Sequence, residues 1–251
     1  MDKYMNKHLE ELIEVVEDII EAGWHPSSRK GSTGIGKTFE DLLGKEEDNH
    51  DLPDFHDIEI KTRDKASNSM ITLFTKSPSY PKGANTFLRN NFGVKDEFGN
   101  NILHMTVSGV NKTNSEKYAY DFKVEVDRKN EKLNLIVYNK NGEIVSDNVF
   151  WSFVDLKKQI DKKLKFIVII SGEVKKLENG QRAYKYNEID LVTGLSVEKL
   201  LEAIESGDLK VDIRIGAYKS GKNKGKTHDH GTGFRINMLK LVEYANVEKI
   251  K

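Results

Sequence analysis

The sequence contains no cysteine, and this excludes disulfide bonds, thiol catalysis and zinc sites built from thiolates. It has only 4 prolines, and its 9% of aromatic residues is too high for a disordered or collagen-like chain. The longest uninterrupted hydrophobic run, Phe166 to Ile170, is far too short to cross a bilayer. The first residues carry neither an apolar signal core nor an arginine-rich transit segment. We therefore expect a cytoplasmic protein with no membrane segment.

Opposite charges are balanced over the whole chain but are separated along it. Lys and Arg together number 40, as do Asp and Glu, so the formal net charge is zero. Residues 40–64 hold ten acidic and three basic side chains, whereas residues 210–240 hold eight basic and two acidic ones. A solvated surface is the ordinary meaning of a charge run. An acidic and a basic segment in one chain also suggest a site for cations and a separate site for a polyanion.

Hydrophobic periodicity predicts a mixed α/β chain. Apolar residues at helical spacing, with acidic residues on the other face, predict a helix over 8–20. Alternation of apolar and polar residues predicts strands at 57–62, 70–75 and 210–218. The other predicted elements are helices at 37–43, 84–91, 154–164 and 197–204 and strands at 102–108, 120–126, 133–138 and 166–171. No repeat or proline-rich linker divides the chain, so we expect one folded unit.

A glycine-rich stretch, GSTGIGKT at Gly31–Thr38, satisfies the Walker A pattern of phosphate-binding loops. Such a loop cradles phosphates where a buried strand leads into it and a helix follows. Here the preceding residues, WHPSSRK, are polar, and the most apolar strand reaches Ser171 and Gly172 before its first acid, Glu173. Nucleotide hydrolysis is therefore a weak alternative, and we expect the stretch to lead into a short helix that carries Glu40.

The segment after Pro53 places two acids and a lysine in a pattern typical of metal-dependent catalysis. Side chains two residues apart in a strand point the same way, so Asp57, Glu59 and Lys61 share one face. Asp54 lies where the chain enters the strand and can approach Glu59. Two carboxylates and a backbone carbonyl are hard oxygen ligands that suit Mg²⁺, and a nearby lysine can orient or help to deprotonate a water.

Ile58 and Ile60 alternate with these charged residues and can anchor the strand in the core. Glu40, on the short helix, is a candidate further acid for the metal site or for holding Lys61. The same pattern also fits an ordinary edge strand with alternating surface charges, and the residues by themselves leave both interpretations open.

The segment from Asp212 to Arg235 combines a strand with a basic loop. Asp212 and Arg214 share a strand face, and Arg, Asp and His are residue types that read base edges. Lysines on a glycine-rich loop can follow a phosphate backbone. The loop and the residues after it contribute Lys219, Lys222, Lys224, Lys226, His228 and His230. A flexible basic surface loop is the plain alternative, and a metal site on the two histidines lacks a third ligand nearby.

Several blocks of the sequence resemble one nuclease family. GSTGIGKTFEDLLGKEEDN, LPDFHDIEIKT and LFTKSP are similar to the N-terminal half of the monomeric type II restriction endonucleases of the MvaI and BcnI type. NNILHMTVSG, KVDIRIGAY and KGKTHDHGTGFRINM resemble later segments of the same group. These enzymes are related to the mismatch-repair nickase MutH within the PD-(D/E)xK nuclease superfamily. The resemblance extends over nearly the whole chain.

The resemblance implies a fold with a mixed sheet, an α/β (α+β) restriction-endonuclease-like core. It implies one unit over residues 1–251, with a catalytic lobe over roughly 1–170 and a mainly DNA-recognition lobe over roughly 171–251 around a cleft. In this family the glycine-rich stretch precedes the helix acid without binding a nucleoside triphosphate.

The resemblance also assigns roles to individual residues. It matches Asp54 and Glu59 to the metal-binding acids, Lys61 to the catalytic lysine and Glu40 to a helix acid. We predict the Ile60 carbonyl as a third metal ligand. The positions that match the base-contacting residues of the family are Asp212, Arg214, His228, His230 and Arg235.

The implied activity is Mg²⁺-dependent cleavage of double-stranded DNA by a monomer at a short interrupted site, with Mn²⁺ as a substitute ion. The closer likeness is to the MvaI branch, which implies CC(A/T)GG, while the BcnI branch reads CC(C/G)GG. A restriction role implies a companion DNA methyltransferase in a prokaryotic cytoplasm. The alternatives are a MutH-like strand-selective nickase that needs a protein partner and a DNA-binding regulator without enzymatic activity.

Overall fold

The computed structural model describes residues 3–29, 31, 33–44 and 52–251. The α-helices of these residues are α1 (Lys3–Glu21), α2 (Gly34–Leu42), α3 (Ala84–Phe92), α4 (Phe153–Lys163), α5 (Val197–Glu205) and α6 (Met238–Leu241). The strands are β1 (His25–Pro26), β2 (Ile58–Asp64), β3 (Ile71–Thr75), β4 (Val94–Lys95), β5 (Asn101–Val107), β6 (Tyr120–Asp127), β7 (Lys132–Asn139), β8 (Ile144–Ser152), β9 (Phe166–Lys176), β10 (Arg182–Thr193), β11 (Leu209–Ala217), β12 (Thr227–Asp229), β13 (Gly233–Ile236) and β14 (Asn246–Lys249).

One sheet contains the strand predicted to carry the catalytic residues. Its strand order is β1-β10-β9-β2, and β14 pairs with β10 as well. β2 runs parallel to β9, whereas β9 and β10 are antiparallel. Because β2 stands at the end of this order, one edge of its backbone is turned away from the sheet.

Helices α1 and α2 bury their apolar sides on one face of this sheet. Leu12 and Val16 of α1 are at most 1% exposed and belong to the same hydrophobic cluster as Ile58 of β2. Fully burying a side chain of this size contributes roughly 1.5–3 kcal/mol. From α2, Phe39 packs edge-on against Tyr186 of β10, with 5.0 Å between the ring centres. This packing fixes β2 in place, since its isoleucine face lies beneath the helices.

A second sheet contains the strand predicted to read DNA. Its strand order is β3-β13-β11-β5-β4, with β12 also paired to β11. Alternation along β11 buries Val211, Ile213 and Ile215 and turns Asp212 and Arg214 to the other face. β6, β7 and β8 form a third, antiparallel sheet.

The chain divides into two compact units with interleaved segments. One unit comprises Met1–Ile71, Asp161–Leu195 and Ala245–Lys251, and the other comprises Thr72–Ile160 and Ser196–Tyr244. The division into a catalytic lobe and a DNA-recognition lobe stays a prediction. Among the described helices, none is long and apolar enough to cross a membrane.

Candidate active site and DNA-reading strands

β2 places Glu59 and Lys61 on the same face, as the alternation predicts. Ile58 is fully buried in the cluster beneath α1 and α2, and Ile60 packs against that cluster. Glu59 and Lys61 therefore leave the opposite face of the strand. The Lys61 ammonium donates a hydrogen bond to Oε1 of Glu59. An acid and an amine are thus held in contact by their spacing on one strand.

Glu59 is a carboxylate in a poorly hydrated position. The residue is only 3% exposed. Burial raises its pKa, the Lys61 charge opposes that rise, and the negative charge of Asp54 adds to it. Oε2 of Glu59 is buried without a hydrogen-bond partner among the described residues, and Nζ of Lys163 lies 3.9 Å from it. A buried carboxylate oxygen left in this state is suited to a cation.

Asp54 is fixed at the outer edge of β2. Its Oδ2 accepts a hydrogen bond from the backbone N–H of Ile60, at 2.9 Å. The N–H and C=O of one residue in an extended strand point to the same edge, so the Ile60 carbonyl lies on the side where Asp54 binds. A tight turn brings Asp54 there, with Phe55 and Ile58 paired to each other and His56 at a φ of 52°.

These oxygen ligands suit a hard divalent cation. They do not suit a metal that needs three or four side-chain ligands from the protein. The described residues contain no cluster of three or more His, Asp or Glu side chains arranged to hold a metal. Mg²⁺ needs no such cage, because it is usually bound by one or two carboxylates and keeps several waters and substrate oxygens. Asp54, the orphaned oxygen of Glu59 and the Ile60 carbonyl supply that kind of partial oxygen set.

Glu40 lies in the last turn of α2. α2 packs on the isoleucine side of β2, and a Cβ added at Gly36 would lie 3.3 Å from Oγ1 of Thr62. Glu40 itself is partly buried. Its role as a further acid of the metal site, or as a residue that holds Lys61, stays a prediction.

The glycine-rich stretch leads directly into α2. The strand before it, β1, has two residues, so the long buried strand of a phosphate-binding loop is not what precedes this stretch. Lys37, the lysine of the Walker A pattern, forms an ion pair with Asp41 at 2.7 Å on its own helix. Lys30 and Ser32 lie outside the described residues.

β11 displays two of the predicted base-reading residues, and β5 places two further polar side chains beside them. Asp212 is paired with Thr106, and Arg214 with His104, so the four side chains share one face. They line a concavity of about 550 Å³ to which His230 also contributes. Neither His104 nor Thr106 follows from sequence reasoning, because the pairing of β5 with β11 joins residues more than a hundred positions apart.

Asp212 is the centre of a polar network. Its Oδ1 accepts a hydrogen bond from Thr106 at 2.9 Å, and its Oδ2 accepts one from Arg235 at 3.1 Å. Nε of Arg214 lies 3.8 Å from Oδ2 and donates to the Gly231 carbonyl at 3.0 Å. Asp212 thus orients two guanidinium groups, which are the groups that read guanine bidentately.

The loop after β11 presents its lysines to solvent. A single 3₁₀ turn, Gly221–Asn223, shapes the loop, and its four predicted phosphate-contacting residues are all exposed: Lys219, Lys222, Lys224 and Lys226. His228 stacks on Tyr218 with ring centres 4.4 Å apart, and its ring is tilted by 59° to that of His230 with ring centres 4.2 Å apart. Asp229 binds internally, since its Oδ2 accepts hydrogen bonds from Ser77 and Asn85, both at 2.5 Å.

With this geometry in place, comparison with known proteins identifies the family. The model of the MvaI/BcnI restriction endonuclease family matches residues 13–242. The chain belongs to this family. Among solved structures it is similar to restriction endonuclease MvaI in complex with its cognate DNA substrate, with 58% identity, a TM-score of 0.92 and complete coverage of both chains. It is also similar to MvaI in the absence of DNA, with 56% identity, a TM-score of 0.68 and coverage of 100% of this chain and 99% of that one. No curated protein sequence gives a match.

Membership of the MvaI/BcnI family confirms the predicted resemblance, the mixed α+β fold and the class of enzyme. This chain is a type II restriction endonuclease, a site-specific DNA nuclease. Asp54 with Glu59 and Lys61 of β2 are therefore the candidates for its chemistry, and the polar face of β11 and β5 is the candidate for its recognition of DNA.

In this MvaI/BcnI family member, the pKa values of two imidazoles near β11 are lowered. Burial is the main cause that lowers the pKa of His104, and Lys117 adds to it. Burial and His228 lower the pKa of His230. Both values lie below the ordinary 6.5, so the unfolded chain takes up protons first as the pH falls.

This difference predicts a pH dependence of stability. The contribution of His104 to the free energy of unfolding is fully present above pH ~6.5, the pKa of histidine in the unfolded chain. It is lost as the pH falls through the lower pKa that His104 has in the folded protein. We expect the free energy of unfolding to fall on going from pH ~7.5 to ~5.5, and His104→Gln to flatten that fall in urea titrations. The same slope for His104→Gln and the wild type would contradict the assignment.

Proposed function

We propose that this enzyme cuts double-stranded DNA at the pseudopalindromic site CC(A/T)GG by Mg²⁺-dependent hydrolysis, acting as a monomer. The observation that carries the proposal is the buried Glu59, whose one oxygen is held by Lys61 and whose other oxygen has no hydrogen-bond partner among the described residues, with the charge of Asp54 close enough to raise its pKa. The similar MvaI structure with cognate DNA supports duplex DNA as the partner.

Asp54, Glu59 and the Ile60 carbonyl are the proposed ligands of the divalent cation. Mg²⁺, or Mn²⁺ in its place, supplies positive charge that activates the scissile phosphate and the attacking water. The carboxylates bring two negative charges to that ion, and Asp54 is kept at the strand edge by its hydrogen bond to Ile60.

Lys61 is the proposed catalytic lysine. Its side chain is 21% exposed, so its ammonium can meet the attacking water and the scissile phosphate while it still contacts Glu59. There its positive charge orients the water and favours release of the water's proton to solvent, and it offsets charge that develops on the phosphate as the 3′ oxygen leaves and is protonated from solvent. Glu40 on α2 is the proposed supporting acid of this site.

DNA recognition is proposed for the face of β11 and for the loop that follows it. Arg214 and Arg235, oriented by Asp212, are suited to guanine, and His228 and His230 offer imidazole rings to base edges. The exposed lysines of the loop contact phosphates and set affinity without reading sequence. They are Lys219, Lys222, Lys224 and Lys226.

A single set of catalytic groups cuts one strand at a time, so a monomer must nick, turn round or rebind, and nick again. A pseudosymmetric site permits this, because only the central pair changes when the enzyme reverses. The proposed role also entails a companion methyltransferase that protects host DNA in the prokaryotic cytoplasm.

Supercoiled plasmid with one CC(A/T)GG site tests the proposal. With Mg²⁺ and no other protein, we expect open circles to accumulate first and then to convert to linear DNA, with no product in EDTA. Open circles that never become linear would indicate a strand-selective nickase. Run-off sequencing of the ends gives the site, and cuts at CC(C/G)GG would contradict the predicted central pair.

A further inference from the structure

A second lysine contacts Glu59 from a different element than Lys61. Lys163 is the last residue of α4, and its Nζ lies 3.9 Å from Oε2 of Glu59. The side chains of Lys163 and Glu59 are 17% and 4% exposed. Since Lys61 binds Oε1, the two oxygens of one buried carboxylate face two different ammonium groups.

Oε2 of Glu59, the oxygen that faces Lys163, is also the oxygen that we propose as a ligand of the divalent cation. Oε2 has no hydrogen-bond partner in the described part of the chain, and 3.9 Å is too long for a hydrogen bond to Lys163. At that separation two opposite charges in a poorly hydrated site still attract strongly. Asp54 and Glu59 contribute two negative charges to this region, and Lys61 and Lys163 contribute two positive ones.

We propose that Lys163 is a positioning residue that takes the place of the divalent cation at Oε2 of Glu59 in the metal-free enzyme. The proposal rests on the metal site proposed above and adds a residue to it. Without Lys163, Glu59 would hold buried charge that Lys61 alone compensates, which is costly. Next to a bound cation the Lys163 ammonium is a like charge, so it weakens metal binding. It thereby sets the metal concentration at which the site fills.

The test removes the charge of Lys163 and measures metal binding without DNA. Lys163→Met keeps most of the side-chain length. We expect it to bind Mn²⁺ at least ~10-fold more tightly than the wild type, as measured by electron paramagnetic resonance of free Mn²⁺. Lys163→Arg keeps the charge and should keep the wild-type affinity. Lys162→Met, at the exposed neighbouring lysine of α4, is the matched control and should also bind as the wild type does.

Thermal unfolding provides a second readout. In EDTA, Lys163→Met should melt below the wild type because Glu59 has lost a compensating charge, and saturating Mn²⁺ should close that gap. A gap that is the same with and without Mn²⁺ would show a packing role only and would overturn the proposal.

The outcomes separate this proposal from the metal site on which it rests. If the wild type binds Mn²⁺, Glu59→Gln loses it and Lys163→Met binds no more tightly, the role of Lys163 is overturned and the metal site stands. If the wild type binds no Mn²⁺, both proposals fall.

Discussion

Lys61→Met is expected to slow DNA cleavage on the order of 10³-fold while leaving the affinity for cognate DNA nearly unchanged. Methionine keeps most of the length of the lysine side chain but cannot orient a water or offset charge on the phosphate. The Lys61 ammonium is held against Oε1 of Glu59, so its loss removes a group that is already positioned for the reaction. Single-turnover cleavage of a short duplex in Mg²⁺ measures the rate, and titration of the same duplex in Ca²⁺ measures the affinity.

Lys65→Met is the matched control for this substitution. Lys65 follows β2 by one residue, is 52% exposed and forms an ion pair with Glu188 at 2.6 Å. We expect its removal to leave cleavage at the wild-type rate. Wild-type cleavage by Lys61→Met would instead contradict the placement of the active site on β2.

Arg214→Ala is expected to reduce discrimination between the cognate site and a site with one changed base by about 10- to 100-fold. The Arg214 guanidinium is held through Nε by the Gly231 carbonyl and is 39% exposed, so its remaining donors are available to a base. A bidentate contact to guanine is worth ~1–3 kcal/mol of discrimination. Competition binding in Ca²⁺ with cognate and single-substituted duplexes measures the ratio.

Lys222→Ala gives the contrasting result that separates base reading from backbone contact. Lys222 is exposed on the loop after β11, and we propose that it contacts a phosphate. Its loss should weaken binding to both duplexes alike and lower the slope of log affinity against log salt by about 1. An equal loss of affinity for both duplexes in Arg214→Ala would place that residue among the phosphate contacts instead.

Local periodicity predicted the strands that carry the proposed catalytic and base-reading residues, because burial on one face repeats every second residue. The alternation of Ile58 and Ile60 with Glu59 and Lys61 is what the structure shows in β2. The same holds for β11, where the predicted range 210–218 corresponds to Leu209–Ala217.

Periodicity did not predict β10, because the alternation of buried and exposed residues changes phase part-way along the strand. Tyr184 and Tyr186 belong to the cluster beneath α1, and so do Ile189 and Leu191, so the buried positions change from even to odd. A β-bulge between Tyr186 and Glu188 inserts the extra residue that causes the change. In the sequence, β10 therefore shows two short stretches of alternating apolar and polar residues that are out of phase. Such a pattern does not predict a single strand of twelve residues.

The partners of the candidate site residues were also beyond local reasoning. Lys163 contacts Glu59 across more than a hundred residues of sequence, and Thr106 bonds Asp212 across a similar interval. The sequence spacing of neither pair indicates a contact, because the fold of the chain is what brings the residues together. The acids and Lys61 could be found because they lie within eight residues of one another.

The parallel pairing of β2 with β9 has a consequence during protein synthesis. Ile58 is aligned with Phe166 and Asp64 with Gly172, so the strand bearing Glu59 and Lys61 gains its sheet neighbour only after about two thirds of the chain has been translated. Contacts this distant in sequence form late, because the loop between them must close first. A ribosome-bound nascent chain therefore carries the acids and the lysine without the support that arranges them. A fragment whose translation stops before β9 lacks the only strand that is paired with β2 in the described sheet.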